Sequence, residues 1–561
     1  MFHGTILNSS KLFVAVVVLF TLFACQALAE APWAMVGASS ARTNQSSWSG
    51  PGEEMRLVWK VPTEHRGGLY ATVAEDGTVF ALDHNLYGYD KDGRLSFQED
   101  IGPAYWYGTE VGLIDGNRVH AGLVNTLYTF GVGGGKISEY TIPDLSDDYY
   151  FMTPAIGIDG EIILPMRKSD SCIGAPGAIA SISADGGLNW MFELGGLNML
   201  FPPSLTEDGK VILCVGDLND PWADRTATSL LCLEPNGMLR WRQDNNAFGF
   251  PLVDNANGRV LVRANVEFKS WSVLAFDLET GDLDWESAPG YFYDEDVNGG
   301  KGLPLALDSA RGVCYAFWYS YTWDYTQVLT AIGPGGEVLW SNEWADNRER
   351  TYDLPSHPMV DGDGFVYVFY SWEEYEQGVQ VRAVGCSEVF DPEGQMIAHN
   401  EYPSDSTWGF WSNCEPAIGP DSRIYMFAQD FDYPVTCSLY AFGTGSEPAP
   451  EYRPTILTAG YGLSGVTDSD GGLLTINASV HHPLGASNIA SVDVLINGQP
   501  TGFSLLPGAS RGEYSLSVEI SPGMLSPGQF LLELVATDTE GHTSDVWPYF
   551  TVGRSSAAPG K

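Results

Sequence analysis

Ala275-Phe-Asp-Leu-Glu-Thr-Gly-Asp-Leu-Asp-Trp285 carries the pattern on which the fold reading turns. A short apolar step runs into a turn, a glycine follows, and a tryptophan stands four residues after that glycine. The same spacing recurs at Gly186/Trp190, Gly237/Trp241 and Gly336/Trp340. Phe97 takes the slot after Gly93, Ala398 takes it after Gly394, and a blurred copy lies around Gly135 and Tyr140. Upstream of the anchors come Pro-led segments ending in Asp/Gly turns, as in Pro154-Ala-Ile-Gly-Ile-Asp-Gly160 and Pro358-Met-Val-Asp-Gly-Asp-Gly364. Copies spaced by roughly 43 to 58 residues, each with four short strands, read as propeller blades in series.

Fourth-strand anchors fall at Trp59, Phe97, Tyr140, Trp190, Trp241, Trp285, Trp340 and Ala398, which predicts eight blades. The repeat after Ala398 has three strands, Pro416 to Phe442, and no fourth. Met55 to Val61 is a fourth strand with nothing before it. Pairing the two closes the ring and hides its sheet edges. The expected fold is all-β: an eight-bladed β-propeller over 50–446 closed by an N-terminal strand, a linker at 447–451, and a small β-sandwich. That sandwich, over 452–553, reads as immunoglobulin-like from alternating segments such as Leu473 to Val480 and Tyr514 to Ile520. The tail 554–561 is too polar and small-residue-rich to order itself.

The 275–285 copy resembles the A-x-D-x-x-T-G-x-x-x-W "tryptophan-docking" repeat of the quinoprotein alcohol dehydrogenase-like (PQQ-like repeat) propeller superfamily. The resemblance covers about residues 50–446 and implies a fold more than an activity, since that superfamily holds both quinone-cofactor dehydrogenases and non-catalytic envelope scaffolds. It implies a packing role for Trp59, Trp190, Trp241, Trp285 and Trp340, each ring laid between neighbouring blades. Quinone catalysis would need a carboxylate base, a calcium held by Glu, Asn and Asp, a tryptophan floor, and typically an adjacent cysteine pair. This chain has no Cys-Cys pair, no haem motif, no G-x-S-x-G elbow and no H-E-x-x-H. No catalytic residue, cofactor or metal ligand is assigned.

With 28 Lys and Arg against 71 Asp and Glu, the formal net charge is −43, which repels nucleic acid and anionic membranes. Residues 1–29 read as an export signal: Lys11, an apolar run from Leu12 to Phe23, then Ala27-Leu-Ala29. Leu22-Phe-Ala-Cys25 also resembles a bacterial lipobox, so simple secretion and a lipid anchor on Cys25 both stay open. No later stretch approaches the ~18–20 apolar residues of a membrane span. The expected location is extracellular, periplasmic or outer envelope. Export permits disulfides; Cys214 with Cys232 is the leading pair, and Cys414 with Cys437 a second.

Loops expected on one face are aromatic and acidic. They carry Tyr105, Trp106, Tyr149, Tyr150, Tyr291, Tyr293, Trp408 and Trp411 between blades, and Trp318, Trp323 and Trp372 in hairpins. One reading plugs the channel mouth with these rings. The other makes them anchors for a protein or carbohydrate ligand, with carboxylates fixing orientation. His357 and Glu415 stand at the channel mouth, as do Thr153, Pro202, Phe250 and Leu303. The function read from this is a secreted or envelope-tethered, non-catalytic binding propeller; the alternative is a quinone-dependent dehydrogenase or a glycoside-cleaving enzyme.

Overall fold

The second and third strands Val211–Gly216 and Thr228–Leu233 of one repeat are buried at every position and mostly apolar. Such runs form strands covered on both sides. Fourth strands differ. Leu188–Glu193 alternates exposed and half-buried residues along an outer edge. The computed structural model describes most of residues 38–553; outside the described residues lie 1–37, 554–561 and internal stretches. The longer of these are 64–70, 102–112, 143–148, 169–176, 217–227, 288–304, 321–325, 404–415, 431–435, 445–453, 482–488 and 521–528. The export signal with Cys25, the linker, the tail and Cys414 therefore fall outside it.

Among the described residues the strands sort into ten antiparallel sheets. Eight lie within 56–443 and are numbered I to VIII here: 72–100, 113–141, 149–193, 198–244, 252–287, 305–345, 350–403 and 417–443. Sheet VIII takes its outer strand from the N-terminus. Arg56–Thr63 (β1) pairs antiparallel with Thr436–Gly443, from Arg56 opposite Gly443 to Thr63 opposite Cys437. The inner strands meet side by side. Leu113–Asp115 touches Ala155–Ile156, Ser204–Leu205 touches Leu252–Asp254, and that strand touches Leu305–Asp308, which in turn touches Met359–Val360. Thr72–Val73 of sheet I touches Ala417–Ile418 of sheet VIII. This is a β-propeller.

The repeated glycine explains how one sheet seats on the next. A Cβ on Gly237 would stand 2.6 Å from Trp190 Cδ2, and one on Gly394 would stand 2.5 Å from Trp340 Cδ2. Both glycines have positive φ, 81° and 85°, so bare backbone is required twice over, by conformation and by the ring lying against it. The same contact joins Trp59 to Gly93, Phe97 to Gly134, Tyr140 to Gly186, Trp241 to Gly281 and Trp285 to Gly336. Each glycine therefore carries the ring of the preceding repeat. The indole N–H groups of Trp190, Trp285 and Trp340 donate to the carbonyls of Pro235, Pro334 and Pro392 at 2.8, 3.0 and 3.1 Å. Trp241 donates to Leu278 O at 3.0 Å.

Residues 455–553 form two further sheets of four strands. One runs Thr455–Thr467, Gly471–His481, Glu513–Ile520, Leu506–Pro507; the other runs Gln499–Ser504, Ile489–Ile496, Gln529–Asp538, Trp547–Gly553. Ile476, Val480, Val492, Val494 and Leu534 are buried together between them.

The Cys214–Cys232 bridge is corrected: both thiols are free and buried. Cys214 stands opposite Leu230, and Cys232 opposite Ile212, so the two are diagonal neighbours. Diagonal positions lie roughly 7–8 Å apart, beyond disulfide reach. Cys214 Sγ instead donates to Ala247 O at 3.2 Å. Cys437 is buried, and its expected partner Cys414 lies outside the described residues.

Two measurements check this packing. Gly237→Ala should destabilise by about 2–4 kcal/mol, combining left-handed strain with a clash against Trp190. Gly195→Ala, where φ is also positive (61°) but no atom stands within 4 Å, should cost only about 1 kcal/mol. Equal losses in chemical denaturation would remove the ring from the account. Burial pushes the thiols of Cys214 and Cys232 up to about 12. Both should resist alkylation at pH 8 in the native protein and react on unfolding, read by peptide mass spectrometry.

Candidate docking face and channel mouth

Of the loop residues singled out in the sequence, Tyr105, Trp106, Tyr291, Tyr293, Trp323, Trp408, Trp411 and Glu415 lie outside the described residues. Tyr149 and Tyr150 are in a strand rather than a loop, opposite Lys168 and Arg167. Trp318 and Trp372 are corrected as ligand anchors. Their exposures are 0% and 1%, and they sit inside Val313–Ser320 and Val366–Glu376. These second strands run further toward the loop face than their turn signals suggest. Trp318 is still paired with Val328, and Trp372 with Val384 and Tyr352. The guanidinium of Arg263 from sheet V covers the Trp318 ring, 5.1 Å from its centroid.

The channel mouth is shaped by proline. In sheets III, IV and VII the inner strand comes in two pieces that both pair with the same second strand. In sheet III, Pro154 separates Tyr149–Phe151 from Ala155–Ile156; in sheet IV, Pro202 and Pro203 separate Asn198–Met199 from Ser204–Leu205. Proline has no N–H to continue the ladder, so the strand breaks there. At these breaks Phe250 is brought to 5.3 Å from Phe201 and 6.0 Å from His357, edge-on to the imidazole. His357 thus meets an aromatic ring, while its expected neighbour Glu415 is outside the described residues. Thr153 is buried, and its Oγ1 has no hydrogen-bond partner among the described residues.

Below the mouth lies a segment that no repeat, period or motif marks in the sequence. The inner strand of a propeller sheet has one ladder edge facing the axis, with N–H and C=O groups that need partners. Residues 41–46 supply them. The carbonyls of Ala41, Thr43 and Asn44 accept the N–H groups of Val253, Leu307 and Val360 at 3.0, 2.8 and 2.8 Å. Those three donors each immediately precede a turn aspartate, in sheets V, VI and VII. Arg42 is 2% exposed; its Nε donates to Pro203 O at 2.7 Å and its Nη2 to Pro154 O at 3.4 Å. Asn44 Nδ2 donates to Leu305 O at 2.7 Å, and Gln45 Oε1 accepts Ser309 N–H at 2.9 Å. The segment then leaves along sheet VII, where buried Asp361 accepts Gly50 N–H at 2.8 Å and the Tyr367 hydroxyl at 2.8 Å. One short stretch therefore ties sheets III to VII at the axis.

A buried carboxylate elsewhere is engaged in packing. Glu388 accepts from Tyr370 Oη at 2.7 Å and Trp344 Nε1 at 3.1 Å, with His399 Nδ1 at 3.0 Å. Trp344 packs on Phe317 and Tyr370, at the seam between sheets VI and VII. Among the described residues, no three His, Cys, Asp or Glu side chains converge as a metal site.

Residues 176–385 match the sequence family described as outer membrane protein assembly factor BamB, which spans fewer than half of the residues of the chain. No curated protein matches the chain. Solved structures similar to it include a protein of unknown function from Bacteroides caccae, at 14% identity and TM-score 0.29, covering 47% of this chain and 92% of that one. The WD40 domain of SCAP from fission yeast is similar at 11% identity and TM-score 0.42, over 70% of this chain and 99% of that one. A structure described as the eukaryotic initiation factor matches at 8% identity and TM-score 0.35, over 64% and 91%.

Trp318→Ala and Trp372→Ala should each cost about 3–5 kcal/mol of stability, as cavities in a closed core do. Denaturant titration reads this loss. A variant of either residue with unchanged midpoint would return that tryptophan to the surface.

Proposed function

We propose that this chain is an exported, non-catalytic eight-bladed propeller that docks a protein partner on its aromatic loop face. The observation that carries the reading is that the repeated indoles are held by neighbouring sheets and the axis is filled by residues 41–46. With the axis occupied by the chain itself, the surface proposed for a protein partner is the face between the repeats. Tyr105, Trp106, Tyr291, Tyr293, Trp323, Trp408 and Trp411 are the proposed anchors there, with Phe250 and His357 at its centre.

Closure into a ring of eight is supported at both sides of sheet VIII. Trp59, on β1, rests on Gly93 of sheet I, and Asn400 of sheet VII donates to Met55 O just ahead of β1 at 2.8 Å. The C-terminal sheets follow the A-B-E-D and C′-C-F-G strand orders in sequence, which supports an immunoglobulin-like module. The match of 176–385 to a family described as an outer-membrane assembly factor supports an envelope location and a scaffold that binds protein.

The resemblance to quinone-dependent enzymes raises the question whether a quinone would fit. Such a cofactor needs an open tryptophan face beneath it. Trp318 and Trp372 are sealed in the core, and Trp190, Trp241, Trp285 and Trp340 are each held by the next sheet. These six tryptophans do not fit that role.

The test places a photo-crosslinking amino acid at Trp106 or Trp411 in the producing cell. A discrete protein adduct is expected from these positions and none from Met191 or Leu283 on exposed outer strands. Adducts to glycan alone, or saturable dye-linked alcohol oxidation after adding pyrroloquinoline quinone and calcium, would overturn the proposal.

A further inference from the structure

The contacts of residues 41–46 have the character of recognition rather than of core packing. They are polar, and the partners come one after another from rigid inner strands of five sheets. The backbone oxygens of Ala41, Thr43 and Asn44 meet fixed N–H donors on the inner strands, so main-chain hydrogen bonds from strand edges hold the segment, as they do in peptide recognition by exposed edges. Side chains then add selectivity. The Arg42 fork reaches two proline carbonyls, Pro203 O and Pro154 O, groups that have no competing N–H on their own residue. Asn44 and Gln45 each find a backbone partner in sheet VI.

The segment's own conformation points the same way. Arg42 and Asn44 have φ of 55° and 50°, in the left-handed region that non-glycine residues avoid. A free chain of this sequence does not hold that path, so the shape is imposed by the axial groups. The neighbouring residues Ser47 and Ser49 are exposed, which places an accessible stretch of chain directly beside the bound one.

We infer that the propeller axis is a peptide-binding site, selective for a segment that carries Arg two residues before an Asn-Gln pair and takes left-handed backbone at the Arg and the Asn, and that residues 41–46 fill it in cis. A segment of the same chemistry on another chain competes for the same donors and carbonyls. This site is separate from the loop face and stands whether or not that face docks a protein.

The experiment uses the mature chain with a protease site inserted after Ser49. After cleavage, a fluorescent peptide of residues 36–48 is added and its anisotropy followed. Saturable exchange at one peptide per chain is expected, with the Arg42→Ala peptide at least about tenfold weaker, since it loses hydrogen bonds made by a charged group. Absence of exchange with the fold intact by circular dichroism, or equal affinity of the two peptides, overturns the inference. If cleavage unfolds the chain, the uncut Arg42→Ala protein takes its place. The wild-type peptide should then raise its Tm and the Arg42→Ala peptide should not; equal shifts or none overturn the inference.

Discussion

An aromatic ring lying on the bare backbone of a glycine one repeat further on is the contact that organises residues 56–443. It occurs from Trp59 on Gly93 through Trp340 on Gly394. Because sheets I to VI each both offer a ring and receive one, while sheet VIII only offers Trp59 and sheet VII only receives Trp340, a single local motif sets the order and spacing of the sheets. The indole N–H bonds to Pro235, Leu278, Pro334 and Pro392 then set the ring's orientation. Tyr140 stands off at 3.4 Å from the Gly186 Cβ position, against 2.6 Å for Trp190 on Gly237, whereas Phe97 keeps 2.9 Å at Gly134.

At the seam the pattern changes in an informative way. Trp59 keeps its glycine but its buried Nε1 has no hydrogen-bond partner among the described residues. The carbonyl in the corresponding position, Lys91 O, is taken by Arg423 Nη1 at 3.1 Å. Sheet VIII is held instead by strand pairing along β1 and by the stretch before it, from Arg42 at the axis to Gly52, whose N–H donates to Tyr367 Oη at 2.9 Å. The N-terminus therefore performs two tasks, supplying an outer strand and filling the axis.

The repeat was legible in sequence because glycine and tryptophan at fixed spacing encode a contact between adjacent units, and adjacent units are close in the chain. Candidate site residues were harder to place. Trp318 and Trp372 look like loop aromatics, since nothing in the sequence marks where a hairpin strand ends and its loop begins; pairing with Val328 and Val384 decides that. The Cys214–Cys232 expectation failed on register. A hairpin tells that two strands are adjacent, while a shift of two residues along the strand separates bonded from diagonal thiols.

By itself the sequence determined an all-β chain built of repeated four-stranded units with a distinct C-terminal segment, because period and turn chemistry act over neighbouring residues. Only the tertiary structure decided that Arg42, Asn44 and Gln45 occupy the axis. Their partners lie 112, 161, 261 and 264 residues away, on strand edges whose free donors and acceptors exist only once five sheets stand side by side. A polar segment without period carries no signal of its own; its place is set by the groups that surround it.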